Sequence, residues 1–434
     1  MVILIVIASV CFFSRAWADP WAVVANLGST VDPVYPQSIH TIDLGVTPPA
    51  VHGPFLAGQF GDEGGYVLDV HIIPGQRAAL ISNFGGQTVY RVDLKNPINP
   101  VVTGSVLLDD SVDSMFAEDI AITADGRLAI VADGGFSSTI AFIDLETLTL
   151  NSLYTLPNDY EAQAVAIAPD NQTVIMADYL GSAILYGQIN ATRDGLVSLT
   201  AIAGNPLCDF NDDPVCPDGE ELPRPINIAI SPDGQTVLVA NTFDGTANVL
   251  RITGPGTVEP GTPFLLQVLP TVDPEPEYGL RSIDFSPDGS RAYIASNGGD
   301  IQGVDVFDQL SWLQVTGPGA VAIGGVAVAE LLSNSSGGFY GVDVLAVTPD
   351  GYHALVGNMT TGNSTENVSL VNLDTFAVTS IPTNSIYPVG IDIASFPPIT
   401  VPLLTPWGMG AFVLLSGLGA ICGLLRKKSS LKTT

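Results

Sequence analysis

Between residues 19 and 397 the chain has almost no lysine: Lys95 stands alone there, and with eight arginines it faces all 44 acidic residues, a balance of −35. Nucleic-acid binding needs clustered lysine and arginine to displace counterions from phosphates, so this composition excludes it. Schiff-base chemistry is equally disfavoured. Histidine is scarce too, with only His40, His52, His71 and His353, which argues against a three-histidine metal centre. No Gly-x-Ser-x-Gly elbow and no Cys-x-x-Cys-His haem motif is present. Of the four cysteines, Cys11 and Cys422 lie in apolar end segments. Only Cys208 and Cys216 belong to the body, within one loop. In an oxidising compartment those two are expected to pair locally as a disulfide.

What the chain does have is glycine (45), proline (32) and 46% apolar residues, with only 13% charged. That is the profile of a turn-rich, all-β globular protein. Both ends differ from the body. Residues 1–18 form an apolar run closing on Ala16-Trp17-Ala18, which suits signal-peptidase cleavage between Ala18 and Asp19, although no basic residue precedes the run. Residues 407–425 form an apolar stretch of 19 residues followed at once by Arg426, Lys427 and Lys428, the length and flank expected of a transmembrane helix with a cytoplasmic stop.

The body is organised by repetition. "HIIPGQRAALISN" begins at His71, "AITADGRLAIVAD" at Ala121, "AIAPDNQTVIMAD" at Ala166, "AISPDGQTVLVAN" at Ala229, "DFSPDGSRAYIAS" at Asp284 and "AVTPDGYHALVGN" at Ala346. Each reads as strand, tight turn, strand, followed by further β-rich runs such as "TIAFIDLETL". In "INIAI", Ile228 and Ile230 alternate with Asn227 and Ala229, so the large residues are expected against a neighbouring unit and the polar or small ones near the axis. In the turn, proline presets φ and Gly234 accepts positive φ. Six four-stranded units of this kind predict a β-propeller. A seventh is expected from the termini, with "IYPVGIDIAS" (386–395) as a first strand and residues 21–44 as later strands. The polar residues ending the second strands, among them Asn83, Asp133 and Asp178, are expected to cap the following turn.

These motifs resemble the YVTN-type propellers of the seven-bladed lactonase-like group, over nearly all of residues 20–397. At the C-terminus, Val401-Pro402-Leu403-Leu404 and Pro406-Trp407-Gly408-Met409, the apolar run and the basic cluster resemble an IPTL-CTERM signal, a relative of the PEP-CTERM tails. The tail resemblance implies export, then membrane retention or transfer to the cell surface by an exosortase-type enzyme, with Pro402 and Trp407 in the processed segment. The organisation expected is therefore a leader (1–18), a seven-bladed propeller (19–397) and a sorting segment (398–434).

Ligands of propellers usually bind where the chain enters the innermost strands. The candidates for that face are Asp69, Glu118, Asp119, Glu161, Arg224, Asn227, Arg281, Asp284, Asp343, Tyr387 and Asp392. Carboxylates converging on the axis could hold calcium. His71 occupies the small-residue column near the axis and is the one histidine placed to act as a general base; with it, Glu118, Asp119, Asp284 and Asp392 are the catalytic candidates. Steps between successive turns run 50, 45, 63, 55, 62 and 46 residues, so surplus length falls in 201–224, 254–278 and 317–340. These segments are expected to crown one face. The first contains Asp209, Asn211, Asp213 and Glu220 at calcium-loop spacing, but Pro214 stands where such loops need glycine. Two functions follow: a surface module binding an envelope protein or glycan, or a lactonase-like hydrolase using the axial carboxylates, with calcium as the candidate cofactor.

Overall fold

A computed structural model describes residues 20–396 apart from 28–36, 61–65, 109–114, 204–223, 266–278, 332–341, 359–367, 384–387 and a few shorter loop stretches. Every sheet of the ring is antiparallel and four-stranded at its core, and there are seven of them. The inner strands of blades 1 to 6 are Val67–Ile72, Ala117–Ile122, Ala162–Ile167, Pro225–Ile230, Leu280–Phe285 and Val342–Val347. Blade 7 takes its inner strand, Pro388–Ser395, from the C-terminal side. Its other three, Pro20–Asn26, Ser38–Asp43 and Ala50–Phe55, come from the N-terminal side. The closing pair is antiparallel, with Val23 opposite Asp392 and Val24 opposite Ile391. The ring thus closes through hydrogen bonds between the two ends, which complete blade 7 as a four-stranded sheet. No α-helix occurs among the described residues, and none there is long and apolar enough to cross a membrane. The expected leader, the span 407–425 and the processing residues Ala18, Asp19, Pro402 and Trp407 lie outside the described residues, as do Cys208 and Cys216.

The period of two explains the packing. In Leu128–Asp133 of blade 2, Ala129 and Val131 pack into a cluster shared with blade 1, whereas Leu128, Ile130 and Ala132 pack into one shared with blade 3. One such cluster lies between each pair of neighbouring blades, including blades 6 and 7 and blades 7 and 1. Ile228 and Ile230 face the blade 3 side and Ala229 the blade 5 side, as the alternation requires. Each large aliphatic side chain fully buried this way contributes about 1.5–3 kcal/mol.

The turn after each inner strand builds the bottom face. Ser231 Oγ donates to Asp233, and the Gln235 N–H donates to the same carboxylate. Thr123–Asp125, Ser286–Asp288 and Thr348–Asp350 repeat the arrangement. Gly126 has φ +67°, and a Cβ there would lie 2.8 Å from the Pro74 carbonyl oxygen of the preceding blade. Glycine is needed both for the turn and for the approach of successive turns. Three of the second-strand ends cap the following turn, whereas Asn26, Asn241 and Asn358 bond to neighbouring strands instead. Gly86, Ser137 and Gly181 donate backbone N–H groups to Asn83, Asp133 and Asp178.

The surplus lengths are only partly loops. Within 254–278 and 317–340 the chain forms the fourth strands Thr257–Pro260 and Ala320–Glu330. Their hairpin turns lie on the bottom face, where the Gly256 and Gly319 N–H groups donate to Thr173 and Thr236 of the preceding blades. The expectation of a single crowned face is corrected to that extent: part of the extra length extends the outer strands downward. The remainder, 204–223, 266–278 and 332–341, lies outside the described residues.

Candidate active site on the ring axis

The third and fifth residues of each inner strand face the axis and the next blade, and these positions are unequal around the ring. The third positions hold Asp69, Asp119, Ala164, Asn227, Ser282, Val344 and Gly390; the fifth hold His71, Ala121, Ala166, Ala229, Asp284, Ala346 and Asp392. Alanine, glycine or valine suffices at many of them, so the fold does not itself demand ionisable groups there.

Where polar groups occur, they pin one inner strand to the next. Asp69 accepts the Val70 N–H through Oδ1 at 2.7 Å and the Ile120 N–H of blade 2 through Oδ2 at 3.0 Å. Asp119 repeats this with Ile120 and, at 2.7 Å, with Val165 of blade 3. Asn227 accepts from Ile283 at 2.9 Å and Ser282 from Leu345 at 3.0 Å. Asp284 and Asp392 do the same two residues later along the strand, accepting from Val347 and from Ile72 at 2.7 and 2.6 Å. Ser82 reinforces the set by accepting the Asp69 N–H and donating to the Glu118 carbonyl. The roles of Ser82 and Ser282 were not anticipated from the sequence. Their signal was the register of the repeat, which aligns Ser282 with Asp69 and Asp119.

His71 lies among these acids. Its Nε2 is 3.2 Å from Asp69 Oδ2 and its Nδ1 is 3.9 Å from Asp392 Oδ2. The imidazole keeps 40% of its surface accessible, against 17% for Asp69 and 29% for Asp392. Deep inside the ring, that surface faces the axial space. One ligand atom each from Asp69, His71 and Asp119 falls within 4.8 Å of the others. Among the described residues no lysine or arginine forms an ion pair with Asp69, Asp119, Asp284 or Asp392.

Burial and crowding divide the protonation states. Burial opposes a charge on His71, but the charge and hydrogen bond of Asp69, with the charges of Asp392 and Asp119, more than offset it and push its pKa up to about 10. Asp69 is held below the usual carboxylate range: burial works against ionisation, and His71 together with the Ile120 and Val70 N–H groups outweighs it. Asp119 moves the other way, raised well above its ordinary value by burial and then by the charge of Asp69. Burial, with a smaller push from Asp392, lifts Asp284 to about 7. Burial also raises Asp392. At neutral pH the arrangement is therefore an imidazolium paired with Asp69, Asp284 half ionised, and Asp119 beside them displaced toward its protonated form by burial and the charge of Asp69.

The other candidates are distributed differently. Glu118 and Arg281 occupy the second positions of their strands, whose side chains face away from this group, and Glu118 folds over Gly134. Glu161, just before the blade 3 inner strand, donates its backbone N–H to Asp178. Arg224 lies over the Tyr179 ring, 5.4 Å from its centroid. Asp343 belongs to the inner strand of blade 6, while Tyr387 and the acidic set Asp209, Asn211, Asp213 and Glu220 lie outside the described residues.

The fold has many solved counterparts. The Pseudomonas aeruginosa periplasmic gluconolactonase is 13% identical, with 87% of this chain and 100% of that one covered at a TM-score of 0.63. A proposed 6-phosphogluconolactonase from Bacteroides fragilis is 14% identical over 87% and 98%, with a TM-score of 0.60. A protein of unknown function from Desulfotomaculum acetoxidans is 15% identical over 87% and 99%, at 0.60. No protein-family profile and no curated protein matches the sequence. At such identities the likeness shows the architecture alone, an all-β seven-bladed propeller.

Proposed function

We propose that the protein is a hydrolase acting on a lactone-type ester in a small polar molecule that enters the axial space. The observation carrying this reading is the convergence of His71, Asp69, Asp119, Asp284 and Asp392 on one accessible stretch of the axis. Names of structural neighbours that refer to gluconolactone hydrolysis support it. A binding module crowned by loops is less well supported, because part of the surplus length serves as outer strands. The leader expected at residues 1–18 and the sorting-type tail expected at 398–434 would put this activity outside the cytoplasm, on a membrane-held or surface-held body.

In this reading Asp284, rather than His71, serves as the base. An imidazolium cannot accept a proton, whereas Asp284, titrating near 7, is matched to general-base work. Asp284 takes a proton from water as the oxygen attacks the lactone carbonyl carbon. The carbonyl electron pair moves onto oxygen, where the positive His71 stabilises it. Collapse of the tetrahedral intermediate breaks the acyl–oxygen bond of the ring. The departing alkoxide takes the proton back from Asp284, and a hydroxy acid is released.

The test is hydrolysis of a panel of five- and six-membered sugar lactones, followed by acid release. Turnover rising with pH through about 7, and lost in Asp284→Asn, is the expected result. Wild-type protein no faster than buffer on the whole panel would sink the proposal.

A further inference from the structure

We propose that Asp69, His71 and Asp119 form a binding site for a divalent transition cation of the zinc or manganese class. Their ligand atoms lie within 4.8 Å of one another. A cation held about 2.0–2.2 Å from nitrogen and oxygen donors needs ligand separations of about 3–4 Å, so small side-chain rotations suffice.

The supports behind the three donors are already in place. Asp69 and Asp119 are oriented by paired backbone N–H bonds from their own and the next strand. His71 turns Nε2 toward the would-be ligands and Nδ1 toward Asp392 at 3.9 Å. At 3.9 Å Asp392 is not hydrogen-bonded to Nδ1, but it stands on the side of the ring from which an outer carboxylate orients a metal-bound histidine, and a shift of about 1 Å would make that bond. Position in the repeat adds a separate argument. Where blade 1 has Asp69 and His71, blade 3 has Ala164 and Ala166, and blade 6 has Val344 and Ala346. Four acids here face a single imidazole, and among the described residues no lysine or arginine forms an ion pair with them, an excess of negative charge that a cation would neutralise.

The donor set also selects the ion. Calcium takes six to eight oxygens, whereas one imidazole and two carboxylates suit zinc or manganese and leave positions open for water. At this site the donor set favours a borderline cation over the calcium that the sequence offered as a candidate. The site rests on the hydrolase reading only for its catalytic consequence: an ion here would stand where His71 otherwise stabilises the oxyanion.

The experiment is calorimetric titration of chelator-stripped full-length protein with Zn²⁺, Mn²⁺ and Ca²⁺ separately, with Mn²⁺ spin resonance as a second readout. The variants are His71→Gln, Asp119→Asn and Asp392→Asn, each checked by circular dichroism. One Zn²⁺ or Mn²⁺ per chain is expected, weakened more than tenfold by His71→Gln and by Asp119→Asn. Asp392→Asn should weaken it about tenfold, the lower end for an outer-shell partner. Absence of binding, binding indifferent to both ligand variants, or Ca²⁺ binding equally well would overturn the site. Lactone turnover in the same samples, with and without chelator, separates the two readings. A bound ion without turnover leaves the site and removes the hydrolase. Chelator-resistant turnover with no bound ion does the reverse.

Discussion

Blades 7, 1 and 2 and blades 3 and 6 are built from the same repeat, yet their axial residues differ. The first group presents Asp392, Asp69, His71 and Asp119, whereas the second presents Ala164, Ala166, Val344 and Ala346. Both groups contribute equally continuous inter-blade cores. Closing a propeller therefore needs apolar faces and paired ends, but it does not need charge on the axis. Buried acids cost free energy unless they are paired or protonated, and here three of the four axial aspartates, Asp69, Asp119 and Asp392, lie on blades 7, 1 and 2 with the one histidine able to compensate them, while Asp284 stands on blade 5. In a repeat protein such a departure from uniformity marks chemistry more sharply than any single motif.

The largest effect should come from removing the ionisable groups on the axis. Asp284→Asn and His71→Gln are expected to lower lactone turnover by about 10²–10⁴-fold, the usual worth of an acid–base group. Ala166→Ser and Ala346→Ser, at the matching positions of blades 3 and 6, should leave it within error. Equal losses in both sets of variants would erase the contrast.

Next in size are titratable groups buried away from the axis. His40 is buried in blade 7, takes a hydrogen bond from Asn26 at 3.0 Å, and has its pKa lowered by burial to about 4. Its contribution is intact above the unfolded value of 6.5 and is lost as pH falls toward 4, a cost of about 3 kcal/mol. Urea midpoints measured from pH 7.5 to 4 should fall accordingly, and more shallowly in a His40→Gln variant that still folds.

Asp178 tests the opposite sign. Burial raises it to about 6, so it favours the folded state below 3.8 and loses that advantage as pH rises through 6. Asp178→Asn keeps an acceptor for the Gly181 N–H. It should stabilise the protein at pH 7.5 by up to about 3 kcal/mol and be neutral at pH 3.5. No gain at pH 7.5 would mean that its environment compensates the charge, as His71 does for Asp69.

The smallest contrast is steric. Gly126→Ala should cost about 2 kcal/mol, since a Cβ meets the Pro74 carbonyl and φ is positive. Gly58→Ala has positive φ but open space around it, and should cost about 1 kcal/mol. Thermal melts of the two variants suffice to compare them.

The blades were legible because their causes are local. Alternation in "INIAI", the Pro-Asp-Gly turn and the polar strand ends each act within a few residues, and six near-copies average out exceptions. The split seventh blade was legible as well, because 386–395 lacks the strands that 21–44 supplies. Asp69, His71, Asp119, Asp284 and Asp392 were also visible, but only as members of a longer set that included Glu118, Glu161, Arg224 and Arg281.

By itself the sequence determined the all-β repeat, the number of blades, the closure by both termini and the excess of acid over base, since these follow from periodicity, turn chemistry and composition. Only the tertiary structure decided which acids meet. It brings blades 7, 1 and 2 around His71 across hundreds of residues and turns Glu118 and Arg281 aside. It also sends part of the surplus length into outer strands on the bottom face. The reason is physical: which carboxylate shares a low-dielectric space with which imidazole depends on distances across the ring, and no local pattern in the chain encodes them.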